Sequence, residues 1–266
     1  MLKRMAIYLG GLVIAVSLIW IIFLFAPTQS VGKTISLKLN RDVLTVLEFP
    51  SQKSVTTALI LFLSGDGGWG DLEEGIAHAL QKHGYEIIGI DSVQYAKTDY
   101  NLDILQADFS TIAQAAELPF DGHPRPLIVG GYSMGAEQAI AVAGGPSPPP
   151  GLVGLLLVDP CSRGRYGLRT SDQMNVLPTG PGTFSMEDFA QTMGKLRVVQ
   201  WHASQDEIDS RTWLDSLTAK HQEFDFPNAG HDYGNNRDDF LHQLVQSASW
   251  ILSSDPGAPR AVINKN

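Results

Sequence analysis

The sequence predicts an α/β protein: a doubly wound, mostly parallel sheet with helices on both faces, preceded by one membrane-spanning helix. Three observations predict it. Short apolar runs alternate with helical patterns from Ala58 onward, which is the pattern of helices covering both faces of a parallel sheet. The runs Ala58–Leu63 and Val153–Val158 are apolar throughout, as strands buried on both faces must be. Ahead of them, Met5 to Ala26 carries no charge, and about 20 apolar residues cross a bilayer.

The N-terminal run follows Lys3 and Arg4 and ends in bulky Phe23-Leu24-Phe25, with no Ala-x-Ala behind it. A cleaved signal peptide has a shorter apolar core and a small-x-small site. An uncleaved signal anchor therefore fits better. The basic pair keeps the N-terminus in the cytoplasm, which puts the rest of a bacterial chain in the periplasm, tethered to the inner membrane through residues 5–26. The expected organisation is an anchor and linker over 1–30, a catalytic domain over 31–253 and a polar tail over 254–266.

Thr34 to Asn40 alternates through Ile35, Leu37 and Leu39, and Val43 to Phe49 follows a turn at Arg41-Asp42, so these two strands pair as a hairpin at the sheet edge. After Ala58–Leu63 comes a helix facing inward through Ile76, Ala77 and Leu80, closed by His83-Gly84. Glu86–Ile90 is the next strand. Asp99 to Leu118 places Leu102, Leu105, Phe109 and Ile112 on one helix face. Leu127 to Tyr132 is a strand and Met134 onward a helix. Gly145 to Pro150 is a stiff surface loop. Asp159 to Thr192 has little periodicity and many Gly, Pro and Ser residues, as in a loop over a binding site. Leu196–Trp201 is a strand, Arg211–Lys220 a helix, Glu223–Phe226 a last short strand and Asp238–Leu252 the closing helix.

At Gly131-Tyr132-Ser133-Met134-Gly135 a strand turns sharply into a helix with a serine at the apex. Flanking glycines are needed where a Cβ would clash with the neighbouring backbone. This is the nucleophile-elbow pattern, and it sets an order of partners along the chain: Ser, then Asp or Glu, then His. His231, in the loop Gly230-His231-Asp232 after the last short strand, is the general base. The acid belongs in the loop after Trp201, where Asp206 fits best by its distance from the strand and Asp209 is the alternative. An oxyanion hole needs amides preorganised beside the serine. One is the amide of Met134. The other comes from Ser64-Gly65-Asp66-Gly67-Gly68-Trp69, as Asp66 or Gly67; Asp66 could equally bind a substrate amine or cap the following helix.

Other chemistries fit less well. The formal charge is −9, whereas nucleic acid needs a basic face. No Gly-x-x-x-x-Gly-Lys-Ser/Thr occurs, and the glycine-rich turn from Gly65 to Gly70 reads as an oxyanion loop rather than a phosphate cradle, so no nucleotide cofactor is expected. Histidines are scattered and no Cys pair exists, so no metal is expected. The single cysteine, Cys161, reads as a small thiol at a strand end and permits no internal disulfide.

The motif Leu63-Ser64-Gly65-Asp66-Gly67-Gly68-Trp69, followed by Asp71-Leu72, resembles the hallmark of the bacterial virulence AcvB/VirJ family. Gly131 to Ala136 and Asp91-Ser92 are similar to that family as well, and the resemblance runs from about Ala58 to Leu252. It implies an α/β-hydrolase fold in the periplasm with Ser133, Asp206 and His231 as triad. Some members are linked to type IV secretion, which makes secretion-system proteins possible partners. Others hydrolyse aminoacyl-phosphatidylglycerol, which implies an ester substrate at a membrane surface. The chain departs from the family over Asp159–Asn175. There Arg163, Arg165 and Arg169 are candidates to meet a lipid phosphate. Trp69, Arg165 and Arg169 are the expected substrate-binding residues.

Overall fold

Eight strands form one sheet in the order β1-β2-β4-β3-β5-β6-β9-β10. They are β1 (Lys33–Lys38), β2 (Val43–Phe49), β3 (Ala58–Leu63), β4 (Tyr85–Ile90), β5 (Leu127–Tyr132), β6 (Leu152–Val158), β9 (Arg197–Ala203) and β10 (Lys220–Phe226). A separate antiparallel ribbon pairs β7 (Arg163–Arg165) with β8 (Thr183–Ser185). β1 and β2 run antiparallel, as does β2 against β4, and every pairing from β4 to β10 is parallel. The computed structural model describes residues 32–117, 125–172, 176–206 and 210–253. They belong to one compact unit beginning at Gly32. The expected anchor at 5–26, the tail and Asp209 lie outside the described residues. Among the described residues no helix is long and apolar enough to cross a membrane.

Among the described residues six helices accompany the sheet: α1 (Asp71–Lys82), α2 (Ser92–Tyr95), α3 (Leu102–Glu117), α4 (Met134–Gly144), α5 (Glu187–Ala190) and α6 (Arg237–Leu252). The alternation of side chains along each strand feeds two cores. Leu59, Leu61, Leu63 and Val129 pack with Leu105, Phe109 and Ile140 on one face. Ile60, Phe62 and Ile128 pack with Ile76, Leu80, Phe240 and Leu244 on the other. β3 is buried on both faces along its whole length, as its unbroken apolar run requires. Each such side chain contributes about 1.5–3 kcal/mol.

The path of the chain positions the site. From β3 it passes to β4 on one side, then returns to β5 on the other. The carboxyl ends of β3 and β5 therefore flank a topological switch point, the place where open α/β sheets bind ligands.

Three elements differ from expectation. The helix predicted over Arg211–Lys220 is a single 3-10 turn, Thr212–Ser216, and β10 already begins at Lys220. Only Trp213 and Leu214 of that turn are buried, too few to hold a helix against the sheet. α3 starts at Leu102 rather than Asp99 because the Asn101 side chain accepts the Ile104 amide at 2.9 Å, the bond of an N-cap. The irregular stretch after β6 contains the β7–β8 ribbon and α5, elements of three or four residues that carry no period.

Candidate active site

Ser133 stands between β5 and α4 with φ 51° and ψ −120°. A non-glycine residue there costs about 1–3 kcal/mol and persists only where its surroundings hold it. The holding contacts are visible. Its amide donates to the Val158 carbonyl at 2.8 Å. A Cβ on Gly135 would lie 2.5 Å from the carbonyl oxygens of Leu63 and Ser64, and one on Gly131 would overlap the Gly135 backbone. Both glycines are required because the colliding atoms are backbone. Met134 is the first residue of α4, so its amide has no partner within the helix and opens beside the serine.

The loop after β3 is a tight turn. The Gly68 amide donates to the Gly65 carbonyl at 3.1 Å, and Gly68 adopts φ 83°. Glu73, in the first turn of α1, accepts the amides of Gly65 at 3.2 Å and Gly70 at 3.1 Å. Ser64 and Ser92 lock the turn's base: Ser92 N–H donates to Ser64 Oγ at 2.9 Å and Ser92 Oγ–H to the Ser64 carbonyl at 2.6 Å. With the Gly65 and Gly68 amides so engaged, Asp66 and Gly67 are the turn's central pair. Asp66 lines the cavity next to Ser133. The residue before α1 is Gly70, so Asp66 does not cap that helix.

His231 lies in the loop after β10. Its Nδ1 is 2.5 Å from Asp206 Oδ2, which leaves Nε2 as the basic nitrogen when Nδ1 carries the proton. Two backbone bonds hold Asp206 there: its amide donates to Ala203 O at 2.9 Å, and the Gln205 amide donates to Ala229 O at 3.0 Å. The Tyr132 ring packs on the imidazole with centroids 4.7 Å apart. Burial pushes the His231 pKa down, but the hydrogen bond and charge of Asp206, with the charges of Asp159 and Asp66, outweigh it and raise the pKa overall. Ser133 and His231 line the same cavity. Asp206 reaches the base; the alternative acid, Asp209, lies outside the described residues.

The cavity has room for about 80 Å³ and is also lined by Glu137, Cys161 and Asp172 and by the exposed Val176 and Leu177. Glu137 is buried, and desolvation pushes its carboxyl up to about 8 against the opposing hydrogen bonds from Cys161. Glu137 and Asp172 were not legible as site residues. Glu137 sits in a helix turn behind the serine, and Asp172 in a loop without period. A further carboxylate, Asp159, has Oδ2 4.0 Å from His231 Nδ1; its one sequence signal is an Asp directly after an apolar strand.

The structure places the three expected substrate-binding residues differently. Trp69 stacks on Phe49 at 5.9 Å and donates its Nε1–H to Glu74; it braces the glycine turn and does not line the cavity. Arg165 does line it, but each of its nitrogens is engaged, with Asp172, Pro181 O and Thr179 O, all at 2.8 Å. Arg169 forms a two-nitrogen pair with Asp99, and Arg163 donates to Pro178 O and Thr183. These arginines add side-chain bonds across the loop over the site, whose backbone is tied by the short β7–β8 ladder. Asp159, Asp206 and His231 each offer one atom within 4.8 Å of the others. Ligand bonds near 2.0–2.2 Å at tetrahedral angles hold donor atoms well over 3 Å apart, so the 2.5 Å Asp206–His231 contact is a hydrogen bond, not a metal pair.

Over residues 57–143 the chain matches the family of the bacterial virulence protein VirJ. This VirJ-type segment runs from β3 through α4. It holds the glycine turn and the elbow, and it ends before Asp206 and His231. No curated protein matches the chain by sequence. Solved structures do match by shape. An esterase domain from Rhodothermus marinus aligns with TM-score 0.60 and 18% identity, over 82% of this chain and 96% of that one. A lidless α/β serine hydrolase from Xanthomonas campestris aligns at 0.58 and 16%, over 86% and 98%. A butyrate-bound esterase from Thermogutta terrifontis aligns at 0.63 and 15%, over 88% and 99%. At these identities the likeness gives the fold, which is that of the α/β hydrolases.

Proposed function

We propose that the chain is a membrane-anchored periplasmic serine esterase that releases the amino acid from aminoacyl-phosphatidylglycerol. The observation that carries the hydrolase reading is the strained elbow serine sharing a cavity with a histidine bound to a half-buried carboxylate. In this reading Ser133 Oγ attacks the ester carbonyl carbon while its proton passes to His231 Nε2. The amides of Met134 and of Asp66 or Gly67 receive the charge that develops on the carbonyl oxygen. The carbon–oxygen bond to the glycerol breaks, and His231 returns the proton to the leaving oxygen. A water molecule, deprotonated by His231, then cleaves the acyl-serine.

Two features support the substrate. The cavity wall carries the carboxylate of Asp66, which suits an acyl group with an ammonium. The lining residues Val176 and Leu177 are 60% and 40% exposed, an apolar lip suited to a lipid. The uncharged run at 5–26 would keep this lip near the bilayer. Phosphate recognition by Arg165 and Arg169 is not part of the reading, since both are engaged.

The test is release of lysine or alanine from vesicles containing lysyl- or alanyl-phosphatidylglycerol, by the protein and by Ser133→Ala. Wild type should release the amino acid, and the variant should be slower by at least about 10³-fold. No release by wild type sinks the substrate; equal release by both sinks the mechanism. A second reading, a non-catalytic accessory of a secretion system, draws on the VirJ-type segment stopping short of Asp206 and His231. Failure of a fluorophosphonate to label Ser133 in folded protein would favour it.

A further inference from the structure

Asp159 follows β6, the strand between the one that delivers Ser133 and the one that leads to Asp206. Its backbone is over-determined. Ser133 N–H donates to the preceding carbonyl, Val158 O, at 2.8 Å, and Asp159 N–H donates to Trp201 O at 3.1 Å. Its φ of 46° is in the left-handed region, which non-glycine residues rarely occupy. The side chain is fully buried. Oδ1 accepts the Ala203 amide at 2.8 Å, three residues before Asp206, and Oδ2 lies 4.0 Å from His231 Nδ1.

A buried carboxylate costs more than a neutral acceptor would at this position. Asparagine would accept the Ala203 N–H equally well through its side-chain oxygen and would bury no charge. The charge has an evident recipient in His231. Four groups on other elements face that imidazole: Asp206 after β9, Asp159 after β6, Asp66 after β3 and the Tyr132 ring at the end of β5; Asp232 is its chain neighbour. Among the three carboxylates facing the ring, Asp159 alone is fully buried, so solvent screens its field least.

We infer that Asp159 is a second positioning carboxylate of the site: it shares the charge of the His231 imidazolium with Asp206, and it can receive the Nδ1–H when Asp206 is removed. It takes no proton. In the wild type the Nδ1–H stays with Asp206, and Asp159 stabilises the ion that forms when Ser133 yields its proton to Nε2. The inference rests on the serine-hydrolase reading for its catalytic consequence, but not for its effect on His231.

The experiment uses the full chain and the variants Asp159→Asn, Asp206→Asn and the double. The His231 imidazole is titrated by NMR, and kcat/KM for a soluble ester is measured against pH. Asp159→Asn should lower the His231 pKa and move the acid limb of kcat/KM down with it, at a loss of about 10-fold. Asp206→Asn should keep activity within about 100-fold of wild type, while the double falls by about 10⁴, the loss expected when a triad has no acid. Asp206→Asn alone falling as far as the double overturns the inference, as does an Asp159→Asn protein with an unchanged His231 titration. If Asp159→Asn does not fold, the Asp206→Asn rate decides alone: near 10⁴-fold overturns, within 100-fold supports. If wild type hydrolyses no ester, the hydrolase reading fails, and the NMR titration still decides whether Asp159 acts on His231.

Discussion

Glu137 shows how one side chain behind the nucleophile sets a pH dependence for the whole protein. It sits one turn into α4, where the helix dipole favours negative charge. Burial wins over the dipole and over the hydrogen bonds from Cys161, and the carboxyl is pushed up to about 8 from an ordinary 4.5. The folded state thus binds this proton more tightly than the unfolded chain. Stability from this group is complete below about pH 4.5 and falls as pH rises, until it is lost above about 8. The loss is on the order of 5 kcal/mol, at 1.36 kcal/mol per pKa unit. Glu137→Gln keeps an acceptor for Cys161 and removes the charge. The variant should match wild type in urea unfolding at pH 5 and exceed it by a few kcal/mol at pH 9. A difference that does not change between the two pH values would refute this account.

The elements around the serine form one brace, with Glu73 at its centre. α1 delivers Glu73 to the glycine turn after β3, and its two oxygens hold Gly65 and Gly70. Glu73 is itself buried, and desolvation raises its pKa against these backbone bonds. Glu73→Ala leaves a buried amide without its acceptor, which costs about 1–3 kcal/mol. The turn that offers Asp66 and Gly67 then loosens. The expected outcome is a kcat lowered by about 10-fold with KM little changed, because an oxyanion donor acts on the transition state; a raised KM at unchanged kcat would contradict that role. This brace was half legible. Ser64 to Trp69 announced a turn by its glycines, and the elbow announced itself by Gly131 and Gly135, because in both places backbone meets backbone and only glycine fits. Glu73 gave no signal: a glutamate in a first helical turn is ordinary, and its value depends on where the previous loop folds back. The partners of Arg165 and Arg169 gave no signal for the same reason, since composition shows a charge but not the Asp172 or Asp99 that pairs with it.

At the scale of the whole molecule, long-range order was readable where burial imposed a period and unreadable where pairs of distant side chains did the work. The alternation of strands and helices followed from apolar runs and gave the sheet with its antiparallel edge hairpin. The ribbon Arg163–Arg165 with Thr183–Ser185 and the single turn at Thr212–Ser216 are too short for any window. The sheet's switch point brings Ser133, the glycine turn and the His231 loop to one edge, and the exposed pair Val176 and Leu177 lies at the same edge. A site so arranged needs no membrane for chemistry on a soluble ester, but it needs proximity to reach a lipid headgroup. Removing residues 1–31, which precede the compact unit, should therefore separate the two. The truncated protein should hydrolyse a short soluble ester at the wild-type kcat/KM. It should leave the membrane fraction, and release of amino acid from aminoacyl-phosphatidylglycerol vesicles should fall by about 10²-fold or more, the scale on which tethering raises effective concentration. Equal activity of both forms on vesicles would remove the anchor from the proposed function while leaving the esterase intact.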